Sequence, residues 1–213
     1  MSRLSFAGLL PVLLLAACSA PAPAPLGGLS VPVRLTEVDD PVAWSYGAVD
    51  VQFYTLGQPH NFQDRGTQLL ATVHTDAQGH ATLDLPGEAG LSGFATRPAA
   101  QALDAVADWY KCPAPILNSS DPASRVVVGA IGRVKFKDFD SPVWPTTTGN
   151  RQYDLLLYAT RASQLTGSLN CGSQQAVSVA LDAGWNVVRY ADITGVPAFR
   201  RVAPGDLLPF EDD

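Results

Sequence analysis

From about residue 48 onward the chain alternates apolar and polar side chains with a period of two, the mark of strands that bury one face. Val49, Val51 and Phe53 alternate with Asp50, Gln52 and Tyr54, which predicts a strand over 48–56. A polar loop, 57–66, leads to a second strand over 67–74. Asp76-Ala77-Gln78-Gly79 then opens a tight turn on Asp and closes it on Gly, and 80–85 returns as a strand stopped by Pro86. Residues 67–85 therefore read as a hairpin. One stretch has helical spacing: over 98–110, Leu103, Val106, Ala107 and Tyr110 recur every three or four residues, Pro98 suits the first turn, and Pro113 and Pro115 stop it.

A long strand is predicted over 125–139, with Val126, Val128, Ala130, Val134 and Phe136 on one face and Arg125, Arg133, Lys135 and Lys137 on the other. Gly129 and Gly132 mark a bend or bulge within it. Residues 141–150, rich in Pro, Thr and Gly, read as a loop that carries Trp144 between Pro142 and Pro145. Three strands follow. The first, 153–158, is apolar on both faces through Leu155, Leu156 and Leu157 and suits the middle of a sheet; the second alternates over 177–181; and the turn 182–184 leads into the third, 185–190. The tail, 204–213, ends in three acidic residues and is expected to hang loose unless Leu207, Leu208 and Phe210 dock on a sheet. Together these elements predict an all-β sandwich with one short helix over 31–203. It is either one domain or two small β units divided near 98–123.

Residues 49–86 present a strand, a polar loop and the run Thr75-Asp76-Ala77-Gln78-Gly79-His80-Ala81-Thr82-Leu83-Asp84-Leu85-Pro86. This order resembles the transthyretin-like or carboxypeptidase-regulatory-like β-sandwich, an Ig-like architecture, over about 40 residues. The resemblance implies a presenting or interacting module without catalysis, and carries no functional residues with it. The chain departs from that pattern after Pro86, where the helical stretch intervenes.

The N-terminus is of another kind. Arg3 gives residues 1–17 a positive start, and the apolar run 6–17 is shorter than the ~20 residues a permanent span needs. It reads as a removable signal. Leu15-Ala16-Ala17-Cys18 closes the run and resembles the lipobox of bacterial lipoproteins, in which the cysteine is lipidated and becomes the first residue of the processed chain. That resemblance implies an envelope protein held on a membrane through Cys18, at the outer membrane or the periplasmic face of a membrane. Two or more acyl chains anchor stably where one binds marginally. Residues 18–30 contain Pro-Ala-Pro-Ala-Pro and then Gly27-Gly28, an extended tether of about 3.1 Å per residue ending in a flexible joint.

Charge narrows the partners. The chain of 213 residues has 14 basic and 20 acidic side chains, a formal charge of −6. Loss of 1–17 removes Arg3 alone among the charged residues and takes the charge to −7. An acidic chain of this kind is a poor ligand for nucleic acid. With Cys18 lipidated, Cys112 and Cys171 remain, and in an oxidising envelope an even remainder suggests one disulfide. Closing that loop of about 60 residues is worth roughly 4 kcal/mol.

The candidate chemistry is sparse, and no catalytic residue, metal site or cofactor is expected. His74, Asp76 and His80 cluster around one turn, but strand alternation keeps the two histidines apart and no third ligand is evident. No Gly-x-Ser-x-Gly, His-Glu-x-x-His or Ser-x-x-Lys occurs, and Ser92 lies in a loop without an elbow frame. The alternative to a binding or structural module is a small envelope hydrolase using a carboxylate pair such as Asp138 and Asp140, or a glycan-binding module stacking sugars on tryptophans. Trp144 is the best placed for stacking, beside Trp44, Trp109, Trp185, Tyr46 and Tyr110. Arg133, Lys135 and Lys137 offer a basic face to an acidic envelope protein or glycan, although charges on a wet strand also guard against edge pairing.

Overall fold

The computed structural model describes residues 26–37, 44–56, 68–104, 107, 112–135, 140–147, 152–170, 174–191 and 199–212. Among them the fold is all-β, in two sheets, with helical backbone confined to short pieces. The expected helix over 98–110 opens as the 3-10 turn Ala99–Gln101, and Asp104 and Ala107 are helical. Residues 105–106 and 108–111 lie outside the described residues.

The first strand, β1 (Leu29–Thr36), is one the alternation from residue 48 onward does not cover. Val31, Val33 and Leu35 are buried while Ser30, Pro32 and Arg34 are exposed, so its pattern is a half-buried strand begun within the expected tether. Pro32 does no harm. The Leu35 N–H donates to Gly79 O, so odd positions aim their donors at the neighbouring strand and the donor that Pro32 lacks points away from it. The expected glycine joint is pinned as well: Glu88 N–H donates to Leu26 O, and a Cβ on Gly28 would lie 2.3 Å from Leu85 O. Glycine at 28 is what lets the two backbones come this close. The tether thus ends before Leu26.

Strands β2 (Asp50–Thr55), β3 (Leu69–His74) and β4 (His80–Leu85) appear where alternation places them, but the expected hairpin does not form. β3 pairs antiparallel with β2, and β4 pairs antiparallel with β1 from Leu29↔Leu85 to Arg34↔His80. The turn between them is as read. Asp76 Oδ1 accepts from the N–H groups of Gln78 and His80 at 2.9 and 2.8 Å, and Gly79 has φ +78°. Local turn chemistry set the corner, while β1, with its own alternating Val-x-Val-x-Leu, took the ladder.

After the two-residue β5 (Arg97–Pro98) come β6 (Ile116–Ser119), β7 (Arg125–Lys135) and β8 (Asp140–Thr147). Residues 136–139 lie outside the described residues. Arg125 is exposed as expected, but Val126, Val127 and Val128 are all buried, so β7 has no wet face over those three residues. The register against β2 jumps from Tyr54↔Ile131 to Thr55↔Gly129, a bulge at Ala130 next to the predicted glycine. The loop expected over 141–150 is β8 as far as Thr147, its alternate residues Ser141, Val143 and Pro145 buried. Pro145 fits because β8 changes partners: it pairs with β7 through Val143 and with β9 (Gln152–Ala159) from Thr146, and Pro145 falls between, while Pro142 stands opposite Arg133 within the β7 ladder.

β9 and β12 (Gly184–Ala191) form the centre of the larger sheet, paired from Gly184↔Ala159 to Ala191↔Gln152. Both faces of each are covered, as the apolar run over 153–158 anticipates. On one face Leu157 and Val188 pack with Leu165, Leu169, Val177 and Leu181 of the smaller sheet, in which β10 (Ser163–Asn170) lies between β6 and β11 (Gln174–Leu181). On the other, Leu156 and Val187 pack with Val31, Val33, Leu83 and Leu85, so the β1–β4 ribbon folds back over the sheet it belongs to.

The tail closes the structure. β13 (Phe199–Val202) pairs with β12, a 3-10 turn Pro204–Asp206 follows, and β14 (Phe210–Asp212) adds parallel to β1 and antiparallel to β8. Phe210 is fully buried, 5.2 Å edge-to-face from Phe53. The acidic end is therefore docked through Phe210 and not loose. Among the described residues no helix is long and apolar enough to cross a membrane.

Candidate functional site

The residues singled out from sequence do not assemble. His74 Nδ1 lies 2.9 Å from Asp50 Oδ1 across the β2–β3 ladder, whereas His80 Nδ1 stands 3.7 Å from Asp76 Oδ2, so the two histidines serve different carboxylates. Among the described residues no three His, Cys, Asp or Glu side chains are arranged to hold a metal. Ser92 ends a 3-10 turn, Glu88–Leu91. Asp138, Lys137, Trp109, Tyr110, Cys18 and Cys171 lie outside the described residues, as do the side chains of Lys135, Asp140 and Trp144.

Trp144 is on a strand and not in a loop: its backbone pairs with Glu211 in the β8–β14 ladder. Trp44 is buried and donates its indole N–H to Gly47 O at 2.7 Å, and Trp185 donates to Pro86 O at 2.8 Å while meeting Tyr158 edge-on. Both are anchors of the fold. Arg133 is half-buried with its guanidinium 5.8 Å from the Tyr54 ring centre, a cation–π contact on the sheet surface.

Charge does converge elsewhere, in a cleft of about 620 Å3 between β1, β12, β13 and the segment leading to β14. Four of the chain's 14 basic residues line it: Arg34 from β1, Arg189 from β12, and Arg200 and Arg201 from β13. Their environments divide them into two pairs. Arg189 and Arg201 have carboxylate partners. Arg189 donates Nε–H to Asp154 Oδ1 at 2.7 Å and Nη2–H to Asp154 Oδ2 at 2.8 Å, a two-bond fork, and Nη2 also reaches Asp206 O at 2.6 Å. The bond to Asp154 is the main reason its pKa is raised above the usual arginine value, against the opposing effect of burial. Asp154 further accepts the Leu208 N–H at 2.9 Å. The pair thus staples the segment before β14 to the centre of the sheet. Arg201 meets Asp182 at 2.5 Å on the surface.

Arg34 and Arg200 are different. Both are exposed, and neither has a carboxylate within ion-pair distance among the described residues. Arg200 stands directly opposite Arg189 in the β12–β13 register, where like charges oppose one another. The carboxylate among the described lining residues is Asp206; serine, cysteine and histidine are not among them. Such a surface presents guanidinium forks to an anion.

Sequence reasoning did not find this site, yet traces of it are visible. Arg189 interrupts the apolar run Val187-Val188-Arg189-Tyr190, and Arg200-Arg201 is a doublet on one short strand. What brings Arg34 to them is the return of the tail against β1, a contact between the two ends of the described chain. No protein-family model, curated protein or solved structure matches this chain at a significant level.

Proposed function

We propose that the chain is a lipid-anchored protein of the bacterial cell envelope whose β-sandwich is a non-enzymatic binding module, with an acidic envelope protein or glycan as its partner. The anchor is Cys18, on the strength of Leu15-Ala16-Ala17-Cys18 after a short apolar run. One observation carries the binding half of the reading: an acidic chain gathers four arginines in one cleft and leaves two of them without carboxylates among the described residues. Guanidiniums left without a carboxylate offer charge-assisted donors to an incoming anion.

A Cys112–Cys171 disulfide belongs to the same proposal. These are the two cysteines left once Cys18 carries lipid, and an oxidising envelope favours their pairing.

Radiolabelled palmitate and membrane fractionation test the anchor. Wild type is expected to take up label and sediment with membranes, and Cys18→Ala to do neither. Label persisting in the variant overturns it. Binding is tested by titrating the full-length lipoprotein in neutral detergent with glucose and with its anionic derivatives; equal heats for neutral and anionic sugars would overturn the binding reading.

A further inference from the structure

Resting on that reading, we infer that the arginine cleft is a site for a terminal phosphate group, with Arg34 and Arg200 as the residues that grip it and Arg189 as the fixed donor behind them. Three features select phosphate over other anions. The donors come from three separate strands, so they approach from different directions and not as the single planar fork that suits a carboxylate. A phosphate monoester has three acceptor oxygens and a charge of about −1.5 to −2 at neutral pH, where a carboxylate has two and −1. Arg189 also has its Nε and Nη2 committed to Asp154 and Asp206, which holds the guanidinium still and directs its remaining Nη1 donors elsewhere. A phosphate between Arg189 and Arg200 would turn the repelling pair of the β12–β13 ladder into two attractive contacts.

The cleft is open and about 620 Å3, room for a phosphate together with the sugar or glycerol unit that bears it. The apolar parts of Val202 and Leu207 line it beside the arginines and can pack against that unit. The phosphate can come from a soluble ester, an envelope glycan or a lipid headgroup, which share this chemistry.

The test is isothermal titration of the full-length lipoprotein in neutral detergent with glucose 1-phosphate, glucuronate and glucose, and with micelles doped with phosphatidic acid. Glucose 1-phosphate is expected to bind at least about 10-fold more tightly than glucuronate, with glucose showing no heat. Arg34→Ala and Arg200→Ala are each expected to weaken it about 10-fold, the equivalent of roughly 1.4 kcal/mol. Both side chains are exposed, so the variants keep the fold, which a melting temperature no lower than that of wild type checks. Arg161→Ala, an exposed arginine outside the cleft that pairs with Asp121, should bind as wild type. Preferential binding of doped micelles, competed by glucose 1-phosphate, assigns the source to a lipid; binding of the free ester alone assigns it to a soluble or glycan ligand. Glucuronate binding as tightly as glucose 1-phosphate overturns the phosphate assignment and leaves the binding module standing. Absence of binding by every anion, or wild-type affinity in the Arg34→Ala/Arg200→Ala double variant, overturns the site itself.

Discussion

Replacing Asp154 with alanine is expected to be among the most damaging single changes in the larger sheet. Its side chain is fully buried and that of Arg189 is 10% exposed. The carboxylate accepts three charge-assisted or backbone bonds, two from Arg189 and one from Leu208 N–H. Alanine removes all three and leaves a largely buried guanidinium without the carboxylate that holds it. Breaking one partner of such a pair costs about 3–5 kcal/mol, more than the pair is worth against an apolar replacement. For a domain of this size each kcal/mol moves the midpoint of thermal unfolding by about 2–4 °C, so a fall of roughly 6–20 °C is expected. Urea denaturation with a double-mutant cycle reads the same quantity without assuming a heat capacity. Asp154→Leu combined with Arg189→Met should recover much of the loss, because no charge is then stranded. If Asp154→Ala lowers the unfolding free energy by less than about 0.5 kcal/mol, or if the double variant is no better than Asp154→Ala alone, the buried pair does not hold this part of the fold together.

Two further changes probe the core. Tyr158 is buried with its hydroxyl unpaired among the described residues, so Tyr158→Phe should be neutral or stabilise by up to about 1 kcal/mol in urea melts, and a loss of about 2 kcal/mol would contradict it. Burial first, and Glu88 second, raise the phenol above its ordinary value of 10.0, so the unfolded chain releases this proton before the folded one does. Stability contributed by the neutral phenol is therefore complete below about pH 10 and lost as pH rises through the higher folded value; wild type should lose stability there more steeply than Tyr158→Phe. Gly132→Ala would set a Cβ 2.4 Å from Val143 Cγ2 and 3.1 Å from Val51 Cγ1, both buried and too stiff to turn aside. A loss of about 1–3 kcal/mol in the same assay is expected, and an unchanged midpoint would show that β7 and β8 can part without cost.

The class of the fold was legible because strand alternation is local. Val51 and Phe53, Leu83 and Leu85, and Val177, Val179 and Leu181 are buried as their period-two spacing demands, and the Asp76 turn forms as its residues require. Pairing was not legible, because it depends on what else competes for an edge: β3 and β4 flank an ideal turn and still pair with β2 and β1. Strands with weak apolar signals were missed for a related reason. β10 carries Leu165 and Leu169 among Gln, Thr, Gly and Ser, and becomes a strand because β6 and β11 flank it. The prolines of β8 argued for a loop, yet Pro145 falls where the strand changes partner and Pro142 lies within the β7 ladder.

The cleft was hidden by the same nonlocality, and its parts show how the tail and the site depend on each other. Arg189 needs Asp154 on β9 to be buried at all, and the same two side chains fasten Asp206 O and Leu208 N–H. That fastening directs the chain into β14, where Phe210 fills the core beside Phe53 and pairs with Leu35, one residue after Arg34. Arg34 therefore reaches the cleft only when the tail is docked, and Arg200 faces it only while β13 stays in register with β12. Two arginines with carboxylates build the frame, and two without a carboxylate partner among the described residues face the cleft. A tail that hung loose would leave the chain with the same arginines and no site.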